Sequence, residues 1–156
     1  MAGNGTPDLR CPLCTGEGGT LLARTRNWHV VLAAEHDYPA FTRVIWNAHV
    51  AEMSELGAAD RDELMRVVLA VEQTQRAVLA PDKVNLASFG NVVPHLHWHV
   101  IPRWRDDRHF PEPVWGRAAD GRDVAVEARR AWVAARLPSY LEALVRGVNR
   151  LLAPGA

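Results

Sequence analysis

The sequence predicts an α+β domain, and three observations carry that reading: short apolar and β-branched runs come first, one long amphipathic helix follows, and a second helical stripe closes the chain. Strands gathered ahead of a single long helix lack the strand–helix alternation of a parallel doubly wound sheet. At 156 residues, 48% of them apolar, the chain has material for one domain with one core.

Two apolar runs within residues 20–34 flank the polar stretch 24–27 and read as a hairpin. Residues 35–40 form a loop, and 41–46, rich in β-branched and aromatic side chains, read as a strand that ends where Asn47 offers a turn. The clearest helix spans 60–80, because Leu64, Val67, Val68, Val71, Val78 and Leu79 recur at three- and four-residue spacing. Asp60 with Glu63 is its expected cap, and Pro81 its stop. Residues 83–89 and 95–101 then read as two strands joined by a short turn holding Gly90 and Asn91. Residues 103–123, rich in charge, Gly and Pro, read as an irregular segment around Trp104, Phe110 and Trp115. These three rings either close over a substrate or partner or pack in the core. Leu141, Leu144, Val145, Val148, Leu151 and Leu152 form the closing helical stripe, with Pro138 marking a break or a start and Ser139 and Glu142 spaced as a capping box.

Lys plus Arg and Asp plus Glu both number 18, so no net field draws the chain to nucleic acid or to an anionic membrane. Any phosphate must be held locally. Residues 1–10 are polar and Gly-rich, which predicts a flexible N-terminus, and no apolar run approaches membrane-spanning length. The expectation is a soluble, cytoplasmic protein. Cys11 and Cys14 are spaced C-x-x-C, which fits half a metal site, a redox dithiol, or coincidence.

The chemistry concentrates in residues 95–101, His-Leu-His-Trp-His-Val-Ile. On a strand the side chains alternate, so His95, His97 and His99 are expected on one face and Leu96, Trp98 and Val100 on the core face. Strand propensity gives no reason for imidazole three times over. Three solvated edge histidines, a metal site built from the trio, and a nucleophile with helpers all fit that spacing.

The pattern H-φ-H-φ-H-φ-φ resembles the signature of the histidine-triad (HIT) family. Asp82-Lys83-Val84-Asn85-Leu86 resembles the family's strand carrying an Asn near the nucleotide, and 44–50 resembles its strand ending in a His. The resemblance covers residues 11–104 as the HIT domain, with 105–156 as an irregular segment and a C-terminal helix packing on it. It implies a mostly antiparallel sheet with one long central helix and a C-terminal helical extension. It also implies a nucleotide hydrolase or transferase in which His97 attacks the α-phosphorus of a dinucleoside polyphosphate or nucleoside phosphoramidate and forms a covalent nucleotidyl-histidine. His99 would hydrogen-bond the leaving group or a phosphate oxygen, with Asn85, Gly90, Asn91 and Val92 at the substrate. Asn91 stands where the family commonly has Gln, and Val92 and Val93 where many members place a hydroxyl residue.

The resemblance further implies structural zinc held by Cys11, Cys14, His49 and His95, no organic cofactor, and a homodimer. Two alternatives keep the same residues: a metal-dependent hydrolase using the trio as ligands, and a non-enzymatic nucleotide-binding module.

Overall fold

The computed structural model describes residues 7–152. Five strands, β1 (Thr20–Arg24), β2 (Trp28–Leu32), β3 (Thr42–Trp46), β4 (Lys83–Ala87) and β5 (His97–Arg103), form one sheet in the order β1-β2-β3-β5-β4. Every neighbouring pair is antiparallel. The helices are α1 (Pro12–Thr15), α2 (Ala58–Leu79) and α3 (Asp123–Arg150). The α+β reading, with a mostly antiparallel sheet, a long central helix and a C-terminal helical extension, holds. Of the expected flexible segment 1–10, residues 1–6 lie outside the described residues. No helix among the described residues is long and apolar enough to cross a membrane.

One face of the sheet supplies the main core. Trp28, Val30, Val44, Trp46 and Val100 meet Leu64, Val67, Val68, Val71 and Leu79 of α2, and α3 adds Val133, Tyr140, Leu144 and Val148. Each fully buried side chain of this size stabilises the fold by about 1.5–3 kcal/mol. Gln75, inside the predicted apolar stripe, is also fully buried, and its amide donates to the carbonyls of Ala40 and Val100.

Local signals were less reliable than this periodicity. The Asp60–Glu63 cap does not form: α2 starts after Gly57, and Glu63 accepts from Trp28 Nε1 (2.7 Å) and Asn27 Nδ2 (2.9 Å), tying the helix to the β1–β2 turn. Pro138 neither breaks nor starts a helix, because α3 runs through it. Val133 and Tyr140 are buried on either side of that proline, and the Tyr140 hydroxyl lies 2.7 Å from Thr42 Oγ1. Packing on both sides outweighs one missing backbone donor. The β4–β5 connection is also longer than the predicted short turn, since β4 ends at Ala87 and β5 begins at His97.

The other face carries the chemistry. In register, Arg43 stands opposite His99 and Ile45 opposite His97, and Ala87 flanks His99 from β4. Ala33, Tyr38, Phe41 and Ile101 make a small cluster on which Val114 packs, which seats the segment after β5 on this face.

Candidate active site and metal centre

The histidine segment is divided by the point at which its backbone becomes a strand. His97 and His99 lie in β5, but His95 precedes it, where Leu96 N–H donates to Val50 O and Trp46 N–H donates to Leu96 O. The His95 ring joins Cys11, Cys14 and His49 and does not line the cavity that His97 and His99 face, so the expectation of three imidazoles sharing one surface is corrected to a pair plus one.

His95 is fully buried, and its Nδ1 lies 3.4 Å from Cys11 Sγ, 3.5 Å from Cys14 Sγ and 3.3 Å from His49 Nδ1. Cys14 Sγ is 3.3 Å from His49 Nδ1. All four donor atoms lie within 4.8 Å of one another, and among the described residues this is the one such group of three or more that can hold a metal ion. Tetrahedral zinc, with ligand bonds near 2.0–2.3 Å, spaces nitrogen and sulfur ligands about 3.3–3.8 Å apart, and the four separations of 3.3–3.5 Å fit that spacing. The tautomer matches as well: His95 Nε2–H donates to Trp46 O at 2.6 Å, which frees Nδ1 as a ligand atom. A metal site made of His95, His97 and His99 is excluded by the same geometry. A redox dithiol gives no account of two imidazoles facing the thiols.

His97 and His99 face a cavity of about 390 Å³ lined also by Phe89, Gly90, Asn91, Val92, Val93 and Trp115. Their ring centroids are 4.7 Å apart at 84°. His97 Nδ1–H donates to the His95 carbonyl at 2.6 Å. A carbonyl only accepts, so the neutral ring carries its proton on Nδ1 and keeps the Nε2 lone pair free. Burial lowers the His97 pKa, which the His95 carbonyl opposes and the Arg43 charge reinforces. Burial, then the charges of His97 and Arg43, push His99 down to about 3. Both rings are therefore neutral near pH 7. Gly90, at φ +72°, lets the wall turn back toward the histidines, a conformation that side-chain-bearing residues rarely adopt.

Of the residues expected at the substrate, Gly90, Asn91, Val92 and His99 line the cavity and Asn85 does not. Register puts Asn85 opposite Ile101, past His99, where its Oδ1 accepts from Arg103 Nη1 at 2.7 Å. It lines a neighbouring hollow with Lys83, Leu86 and Trp115.

Trp115, for which closing over a substrate is one of two readings, is a neighbour of the histidine pair, as are Arg43 and Phe89, which the sequence reading did not single out. The β3–β5 register would have found Arg43. His29 is buried between Asn47 Oδ1 (2.7 Å) and the Glu17 carbonyl (3.1 Å). Asp107 was missed entirely. Its buried carboxylate takes Arg103 Nε at 2.6 Å and Nη2 at 3.0 Å, the backbone N–H groups of Trp104, His109 and Phe110, and the Tyr38 hydroxyl. Burial works to raise this carboxyl, yet Arg103 and the backbone donors hold it below the usual range.

The HIT domain family model matches residues 19–106, more than half of the chain. An AP-4-A phosphorylase of Mycobacterium tuberculosis is 27% identical over 116 residues, which are 70% of this chain; the chain spans 60% of that relative's length. Among solved structures, a histidine triad protein of Marinobacter aquaeolei is 28% identical with a TM-score of 0.66, covering 90% of this chain and 99% of that one. One from Bradyrhizobium japonicum is 25% identical at the same TM-score, covering 85% and 92%. A zinc-bound histidine triad family protein of Mycobacterium smegmatis, 20% identical with a TM-score of 0.54 and coverage of 84% and 97%, shares the fold. The family match, the shared architecture and the paired imidazoles above the sheet agree: this chain belongs to the HIT family.

Proposed function

We propose that this protein is a nucleotide hydrolase or transferase that works through a covalent nucleotidyl-His97 intermediate. The observation that carries the reading is the 2.6 Å bond from His97 Nδ1–H to the His95 carbonyl, which leaves Nε2 as a neutral nucleophile in a cavity. In the first half-reaction the Nε2 lone pair forms a bond to the α-phosphorus while the bond from phosphorus to the leaving group breaks. The leaving group departs with that electron pair and takes a proton from solvent. His99, neutral and beside His97, donates a hydrogen bond to the leaving-group oxygen or to a phosphate oxygen. The ring of the intermediate is cationic, and the His95 carbonyl stabilises its Nδ1–H. In the second half-reaction an oxygen of water or phosphate attacks phosphorus, the P–N bond breaks, Nε2 recovers its lone pair, and attacking water releases its proton to solvent. The backbone of 90–92 and the Asn91 amide supply donors to the non-bridging oxygens.

Cys11, Cys14, His49 and His95 hold structural zinc in this reading. When bound, the metal pins the N-terminal residues to the backbone whose carbonyl orients His97. The substrate class is a dinucleoside polyphosphate or a nucleoside phosphoramidate, supported by the AP-4-A phosphorylase likeness. A two-fold homodimer in the cytoplasm completes the proposal.

The test is a panel of both compound classes, assayed for mononucleotide release with and without inorganic phosphate. The expected result is turnover that His97→Ala abolishes. Unchanged turnover in that variant, or nucleotide binding without turnover across the panel, would overturn the reading.

A further inference from the structure

Beyond the nucleophile His97 the rings of His99, Trp115 and Phe89 form a cluster, with Phe89 also 6.1 Å from His99. His97 and His99 are 4.7 Å apart between centroids, His99 and Trp115 5.1 Å, and Trp115 and Phe89 4.9 Å. Displacement at phosphorus runs in line, so the leaving group departs opposite the attacking nitrogen. Taking His99 as the leaving group's hydrogen-bond partner, whatever that group carries extends past His99 toward Trp115.

Trp115 packs only in part, edge-on to Phe41 at 6.1 Å between centroids. It is 52% exposed, whereas Trp28, Trp46 and Trp104 are buried. Phe89 at 55% and Val92 at 93% stand with it around the same cavity. Apolar side chains gathered in water at a cavity mouth mark a ligand surface. The indole is nevertheless held. Val114 before it packs on Tyr38, Phe41 and Ile101, and Gly116 N–H after it donates to the Pro113 carbonyl. Arg103 Nη2, fixed by Asp107, donates to the Glu112 carbonyl at 2.8 Å. A pre-positioned ring loses little freedom on binding. Trp115 also lies outside the family-matched residues 19–106, so this wall is contributed by the chain's own C-terminal segment.

We propose that Trp115, backed by Phe89, is a specificity-determining contact that stacks a planar aromatic group carried by the leaving half of the substrate, as the second base of a dinucleoside polyphosphate. The inference rests on the reading of His97 as nucleophile and assigns what lies beyond the scissile bond.

The experiment compares diadenosine tetraphosphate with adenosine phosphoramidate, which share the adenylyl half and differ in whether the leaving group bears a ring. Trp115→Ala is expected to lower kcat/KM for the first by about 5- to 150-fold, the worth of one stacked base. The loss for the second is expected to be at least several-fold smaller, and Trp115→Phe is expected to recover most of the loss for the first. In a His97→Ala background, where nothing turns over, diadenosine tetraphosphate is expected to quench tryptophan fluorescence more than adenosine monophosphate does, and Trp115→Phe to remove the difference. Equal losses for the two substrates, or a quench indifferent to Trp115, would overturn this inference and leave the nucleophile untouched. Failure of the wild-type protein to bind either compound would instead sink the nucleotide reading, and the inference with it.

Discussion

His95 and His97 are two residues apart, yet they belong to different kinds of site. His95 sits before β5, fully buried, with Nδ1 among two cysteine sulfurs and a second imidazole and Nε2–H on a backbone carbonyl. His97 sits on β5 with Nδ1–H on a carbonyl and its other nitrogen toward a cavity. Each ring is fixed by one backbone hydrogen bond through opposite nitrogens, and that choice assigns one to a ligand set and the other to chemistry. The two are also joined, since the carbonyl that orients His97 is that of His95.

Removing His97 breaks the contrast hardest. His97→Ala is expected to cut kcat/KM by on the order of 10⁴-fold or more while zinc content and melting temperature stay near those of the wild type, as read by steady-state assay, metal analysis and thermal melts. The reverse pattern is expected of Cys11→Ser with Cys14→Ser: loss of the proposed zinc and a fall in stability of several kcal/mol, because ligand binding free energy is folding free energy at such a site. Zinc retained in that double variant would contradict the assignment of the closed cluster.

The segment that walls the cavity offers a smaller break. Asp107→Ala strips a buried guanidinium of its partner and is expected to cost about 3–5 kcal/mol in a denaturant melt. Trp115 should lose its fixed position with it.

The mildest test is pH. His97 and His99 titrate below the ordinary histidine value, His99 at about 3, so folding holds both neutral. That contribution to stability is complete above the unfolded value near 6.5 and is lost as the pH falls from there toward the folded values. Activity is correspondingly expected to stay level from about pH 8 to pH 6, with its acid limb below the ordinary histidine value. A limb centred above about 6.5 would show a charged resting His97.

Much of this was legible in the residues. Helical period placed Leu64, Val67, Val68 and Val71 in the core, and strand alternation placed Leu96 and Val100 opposite His97 and His99. The ligand set Cys11, Cys14, His49 and His95 came from family resemblance, since thiols at 11 and 14 and imidazoles at 49 and 95 are joined only by folding. What sequence missed was tertiary. Alternation groups His95 with His97 and His99, and only the folded positions of Cys11, Cys14 and His49 around its Nδ1 show that it belongs to another site. Pro138 reads as a helix boundary until Val133 and Tyr140 are seen buried on either side of it. Asp107 is one more acid in a charged segment until Arg103 and Tyr38 close on it. Asn85, expected at the nucleotide, lines the hollow next to the His97 cavity, where the β4–β5 register puts it opposite Ile101.

The central claim is that one nitrogen, Nε2 of His97, bonds to phosphorus while His95 serves the metal. The direct measurement is to quench turnover of a nucleotide labelled at its α-phosphorus and map the acid-labile phosphorus–nitrogen bond by mass spectrometry. Label on His97 alone, in protein that retains its zinc, is the predicted result. Label on His99, or turnover with no labelled histidine at any quench time, would contradict the account.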